Sequence, residues 1–357
     1  MKKLYFSVIF ISMVNCIFCQ TEKSFSMEYN TGNVFAHNKD VENVGGSTTN
    51  GVELKYTFKK LDSLYYSSFN GFPSQGFAIG FTNFNNTILG KGITANYFIS
   101  PNITINNWLS TAFNFNLGAA YLTNPNREFT NPENQSYSTY ISAYLAIGWE
   151  TKIAITKRIN LNLGASYRHT SNAGVKLPNK GINWTTANFG LTYNTSDPVN
   201  TKKLKNRFNA YKFTHKNFWE LSVFGAIRNL NNESATKYGI AGFQLQHNWQ
   251  TAKTHAFNVG TEFFIDNSLA KQIKIENNKS SIGLRQGILV GHQFLWGKVN
   301  FGQQIGFHLI NPENKYTTMY HRWTITHKIT SHFSAGVSLL AHGHVANFAD
   351  LRVVYRL

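Results

Sequence analysis

The chain alternates. From residue 24 to residue 194, segment after segment places an apolar side chain at every second position, and that period belongs to a β-strand with one apolar face. In 51–59, Val52, Leu54, Tyr56 and Phe58 share one face, while Glu53, Lys55, Thr57 and Lys59 share the other. In 113–121, Phe113, Phe115, Leu117, Ala119 and Tyr121 oppose Asn114, Asn116, Gly118 and Ala120. In 141–149, Ile141, Ala143, Leu145, Ile147 and Trp149 oppose polar or small residues. Eight strands are expected in this half, near 24–35, 51–59, 76–84, 92–99, 111–122, 137–150, 159–171 and 184–194. The connection 60–75 is long for a turn, and no local pattern accounts for it.

Composition says where such strands live. Aromatic residues make up 15% and charged residues 14%, the latter well below the roughly 25% of soluble domains. No apolar run after the amino terminus reaches the roughly 20 residues of a membrane helix. Residues 1–19 read as an export signal, with Lys2 and Lys3 before the apolar stretch from Leu4 to Phe18 and cleavage near Cys19 or Gln20. Asn15 and Phe18, ahead of Cys16 and Cys19, argue against lipid attachment there. Both cysteines lie in this segment, so the mature chain has no disulfide, no thiol chemistry and no cysteine-based zinc site. An exported, cysteine-free, aromatic-rich chain of alternating strands implies an all-β fold. The expected form is an antiparallel transmembrane β-barrel in the outer membrane of a Gram-negative bacterium. Its formal net charge of +17 suits an anionic lipid surface, since an exported chain does not meet nucleic acid.

The second half repeats the first. Asn131-Pro-Glu-Asn134 with Tyr137 and Tyr140 returns as Asn311-Pro-Glu-Asn314 with Tyr316 and Tyr320. The segment from Phe25 to Tyr29 is matched by that from Trp219 to Val223, and Ala187 to Tyr193 by Ala346 to Tyr355. Between the halves, 198–214 carries Lys202, Lys203, Lys205, Arg207 and Lys212 with little alternation, as a basic linker would. The organisation expected is a barrel repeat over 20–197, the linker, and a second repeat over 215–357. Two barrels of about eight strands, or one fused barrel of about sixteen, both fit this pattern.

One stretch carries chemistry. Along 159–171, Leu161, Leu163, Ala165 and Tyr167 share a face, and His169 and Ser171 continue it. Arg168 and Thr170 fall on the other face. A base two residues from a hydroxyl on one strand face is the minimum for a serine nucleophile. If the apolar face meets lipid, this polar pair does too, at a free-energy cost that a lipid substrate would offset. With the amino terminus in the periplasm, the pair lies at the outward end of its strand. In the next strand Asn183 shares parity with Ala187, Phe189 and Leu191, so it can stand beside His169 and hold its ring.

His169-Thr-Ser-Asn-Ala173, followed by Pro178-Asn-Lys-Gly-Ile182, resembles the signature of the PagL family, the outer-membrane lipid A 3-O-deacylases. The resemblance spans about 20–197 and is strongest over 161–193. It implies an eight-stranded barrel with a His–Ser–Glu triad on its lipid-facing wall. It also implies hydrolysis of an ester-linked acyl chain of lipid A, the lipopolysaccharide anchor, without a cofactor. His169 then matches the base, Ser171 the nucleophile, and Asn172 with Gly174 the region that binds the oxyanion. Asn183 stands where the glutamate is expected; an amide can hold the ring but cannot compensate the imidazolium charge. The rival readings are a non-catalytic barrel, such as a porin or a structural protein, and an outer-membrane phospholipase. The second repeat has His342-Gly-His344 at the corresponding place, without a serine. Its parity turns these histidines inwards, as structural lumen residues rather than metal ligands with Asp350.

Overall fold

In Thr21–Val34 (β1), Ser24, Ser26, Glu28 and Asn30 are buried, while Phe25, Met27 and Tyr29 are 55%, 60% and 48% exposed. This inverts a water-soluble strand: the polar face is inside and the aromatic face is outside, as a barrel in lipid requires. The computed structural model describes residues 21–357 apart from 198, 200, 209–212, 231–235 and 344. The expected export signal therefore lies outside the described residues.

The first barrel continues through β2 (Thr48–Lys60), β3 (Ser74–Asn83), β4 (Lys91–Ser100), the short β5 (Asn102–Thr104) and β6 (Leu109–Leu122). It ends with β7 (Ile141–Ala154), β8 (Ile159–Ser171) and β9 (Ile182–Asn194). All pairs are antiparallel; β1 pairs with β9, and β4 pairs with β6, which closes the wall and leaves β5 as a spur on β6. The second barrel runs β10 (Lys216–Asn229), β11 (Lys237–Ala252), β12 (His255–Asp266), β13 (Leu284–Trp296), β14 (Val299–Ile310), β15 (Met319–Lys328), β16 (Phe333–His342) and β17 (Val345–Arg356). It is closed by β10 against β17. The chain thus forms two barrels, not one fused wall. The repeat is visible in the topology: both Asn-Pro-Glu-Asn segments lie in the loop after the fifth wall strand, between β6 and β7 and between β14 and β15.

Both lumens are filled. In the first, Lys55 Nζ lies 2.7 Å from Glu28, and Arg168 lies 3.1 Å from Glu53. Asn162 donates to Glu28 and to Thr192. In the second, Arg322 bridges Glu262 and Asp350, and Arg352 holds Asp350 and Gln244. The space left among Glu220, Gln246, Gln304 and Arg352 is about 20 Å³, room for little more than one water.

The end of each barrel away from its first residue is here called the loop end. There the first lumen turns apolar, with Val34, Val41, Phe84, Leu89, Leu122, Tyr137, Tyr144, Ile182 and Trp184 packed together. Alternation alone did not foretell this plug, because Tyr144, Ile182 and Trp184 sit on the polar-face parity. The strand expected from 137 begins at Ile141, since Tyr137 instead turns into the plug and donates to the Leu89 carbonyl.

The opposite end explains 60–75. It holds helix α1 (Ser63–Phe69), capped by Asp62, whose carboxylate accepts from the Tyr65 N–H. The basic linker is helical as well, over α2 (Thr201–Phe208). Leu204 and Phe208 of α2 pack on the cluster of Leu61, Tyr65, Tyr66 and Phe72. Neither helix is long enough for its sequence pattern to stand out from a loop, so both depend on this mutual burial.

Candidate active site

Strand pairing sets His169 beside Asn183, with Ser171 two residues further along the same strand. In the β8–β9 register His169 faces Asn183, and in the β7–β8 register Ser171 faces Ala143. Leu163, Ala165 and Tyr167 are exposed on the outer face, and His169 and Ser171 follow them on the same parity, half-buried. Arg168 and Thr170, on the other parity, are buried in the lumen. The pair is therefore on the outside of the barrel, at its loop end.

Asn183 is buried and central. Its Oδ1 lies 2.6 Å from His169 Nδ1 and accepts from the Tyr167 hydroxyl at 2.7 Å. Its Nδ2 lies 2.6 Å from Nδ1 of His37, whose Nε2 lies 2.9 Å from the Lys180 carbonyl. His37 was not legible as a site residue. It lies in the loop after β1, far from 169–183 in sequence, and carries no spacing signal. The loop is held there by the Phe35 N–H donating to the Asn183 carbonyl at 3.0 Å and by an ion pair of Lys180 with Asp40 at 2.8 Å.

The loop 172–181 shapes the other side. Ser171 Oγ accepts from the Ala173 N–H at 3.1 Å, which leaves the serine's own proton to be donated. Asn172 is buried. Its Nδ2 donates to the Lys176 carbonyl at 2.7 Å, and its Oδ1 accepts from the Gly174 N–H at 3.1 Å. Asn172 and Gly174 thus hold the turn through each other. The backbone donor at the serine belongs to Ala173, which has a positive φ of 55°.

Residues 50–192 match the family of lipid A 3-O-deacylases, PagL, and residues 217–357 match the acyloxyacyl hydrolase C-terminal domain of PagL. The chain belongs to the PagL family. At family level it is an outer-membrane lipid A hydrolase of a Gram-negative bacterium. No curated protein matches it significantly. Among solved structures it is similar to Neisserial surface protein A, with 11% identity and a TM-score of 0.32, over 49% of this chain and 98% of that one. It is similar also to the N-terminal β-barrel domain of Pseudomonas aeruginosa OprF, with 13% identity and a TM-score of 0.29, over 49% and 99%. Yersinia pestis Ail shares 17% identity, with a TM-score of 0.27, over 49% and 99%.

Among its described residues the second barrel keeps the fold without a His–Ser pair at the corresponding place. Its seventh strand, β16, carries Leu339 and Ala341 on the outer parity. His342 turns inwards, with Nε2 3.1 Å from Arg285 and its ring stacked on Tyr316 at 4.7 Å. Asp350 is taken by Arg322 and Arg352. Among the described residues no group of three or more His, Cys, Asp or Glu could hold a metal, and His344 lies outside them.

Gly181 lies directly against the imidazole of His169. Its φ is +81°, and a Cβ there would stand 2.6 Å from His169 Cε1 and 3.0 Å from the Thr170 carbonyl. Gly181→Ala is expected to displace the imidazole; with His169 as the base proposed below, turnover should fall about 10²-fold, the loss typical of a misplacement of about 1 Å. Lipid A hydrolysis by the purified, folded variant checks this; turnover within threefold of wild type would show that the ring has room to spare.

Proposed function

We propose that the first barrel is a serine ester hydrolase that removes an ester-linked acyl chain from lipid A. In this reading Ser171 is the nucleophile, His169 the general base and Asn183 the acceptor that orients the base. The supporting observation is a single one: a histidine held at Nδ1 by a side-chain oxygen shares the apolar outer face of a barrel strand with the serine two residues on. A substrate reaching that face comes sideways from the membrane, not through the lumen. With the chain entering from the periplasm, the loop end meets the outer leaflet, where the lipid is lipopolysaccharide. Lys176, exposed on the adjoining loop, is suited to a lipid A phosphate.

The chemistry follows from the donors and acceptors. His169 Nε2 takes the proton from Ser171 as Oγ bonds to the ester carbonyl carbon. The negative oxygen that develops lies beside the Ala173 N–H. The carbon–alkoxy bond then breaks, and Nε2 returns the proton to the sugar oxygen. Water, deprotonated by Nε2, then attacks the acyl-serine carbonyl carbon; the bond to Oγ breaks, Nε2 returns the proton to Oγ, and the fatty acid leaves. Asn183 keeps Nε2 as the basic nitrogen, although its neutral amide gives no charge compensation to imidazolium. A pore is disfavoured by lumens crossed by ion pairs.

Mass spectrometry of lipid A from cells producing the chain tests the reading. Loss of one ester-linked acyl chain, with phospholipids unchanged, is expected. Unchanged lipid A with the folded protein in the outer membrane would overturn it. Lysophospholipid in its place would make the substrate a phospholipid.

A further inference from the structure

The amide at 183 raises a problem that a carboxylate does not. A carboxylate offers His169 an oxygen whichever way it turns, whereas an amide offers an oxygen on one side and an N–H₂ on the other. If Nδ2 faced the ring, His169 Nδ1 would have to accept, and the proton would move to Nε2. The base towards Ser171 would then be lost. In a serine protease the exchange of the triad carboxylate for an amide costs about 10⁴-fold in turnover for this reason, the wrong tautomer.

We propose that His37 is a positioning residue that solves this problem by fixing which way Asn183 points. The Lys180 carbonyl can only accept, so His37 carries its proton on Nε2, 2.9 Å away. Neutral His37 then has a lone pair on Nδ1, which takes a hydrogen bond from Asn183 Nδ2 at 2.6 Å. Oδ1 is thereby turned to His169 Nδ1 at 2.6 Å, and the Tyr167 hydroxyl adds a second donor to it. Each group in the relay has one consistent role. The lone pair of His169 is left on Nε2, where the serine needs it. His37 and Asn183 together do what one carboxylate does elsewhere, apart from its charge. The inference rests on the proposed role of His169 as the base.

A double-mutant cycle in the full-length protein tests it. His37→Leu removes the acceptor and is expected to lower kcat for lipid A by about 10²–10⁴-fold, with KM little changed. In the Asn183→Asp background there is no amide to orient, so the same substitution is expected to cost less than about threefold. Equal losses in the two backgrounds would mean that His37 only supports the loop, and would overturn the proposal. The ¹⁵N shifts of the His169 ring give a readout independent of turnover. His37→Leu should move the proton from Nδ1 towards Nε2, and an unchanged tautomer would also overturn it. If Ser171→Ala keeps wild-type activity, the proposed function fails, while the ring shifts still decide the relay.

Discussion

Ser171→Ala is expected to lower lipid A deacylation by about 10⁴–10⁶-fold, the range seen when a serine nucleophile is removed from an intact site. Folding should survive. The substitution removes one hydroxyl at a half-buried position and leaves the Ala173 N–H without its acceptor, a loss of about 1 kcal/mol at most. Ser166→Ala on the same strand is the control, because its hydroxyl faces the lumen and accepts from Asn188. It should keep activity within about twofold, since no part of it reaches the outer face. His169→Ala should match Ser171→Ala, and the double substitution should be no worse than either alone, because the pair acts as a unit. On the acid side kcat/KM should fall as His169 takes up a proton, since only neutral imidazole can serve as the base. Liquid chromatography with mass spectrometry of the released fatty acid measures all of these. More than a tenth of wild-type activity in Ser171→Ala would remove the serine from the mechanism.

The barrel wall and the parity of its side chains were readable in the sequence, for a physical reason. Lipid on one side and a polar lumen on the other force a strict period of two, so parity places His169, Ser171 and Asn183 on one face and Arg168 on the other. What parity could not supply was anything set by loops or by packing across the lumen. His37 reaches Asn183 through a loop whose path depends on the Asp40–Lys180 ion pair and the Phe35 N–H. Asn172 has a residue type suited to an oxyanion donor, yet its even parity sends its amide into the turn, where Lys176 and Gly174 occupy it. Tyr144, Ile182 and Trp184 break the polar-inside rule because the loop end is a plug, shut off by its own apolar contacts. Periodicity also reads only the wall, so α1 and α2, short helices stabilised by each other at the opposite end, left no signal in it.

The second large effect lies in the barrel without the site. Arg322 is fully buried, 2.8 Å from Glu262, bonded to Asp350, and flanked by the rings of Phe224 and Phe348. Arg322→Leu is expected to destabilise the second barrel by about 3–5 kcal/mol, because it leaves a buried carboxylate without its cation. Glu262 takes most of this loss, since Asp350 keeps Arg352. Glu262→Gln added to Arg322→Leu should therefore recover part of it: the orphaned charge, not the missing bond, dominates the cost. Arg158→Ala is the contrast. Its pair with Asp197 is exposed, at 51% and 60% for the two side chains, so solvent screens it and its loss should leave the unfolding midpoint close to wild type. Unfolding in urea, followed by the gel shift between folded and heat-unfolded barrel, reads these differences. If Arg322→Leu unfolds like wild type, water must reach Glu262, and the second lumen would have to be wetter than its ion pairs and its cavity of about 20 Å³ allow. If it unfolds early while the first barrel still cleaves lipid A, the two barrels are separate folding units. The second would then serve the first as a neighbour rather than as part of its core.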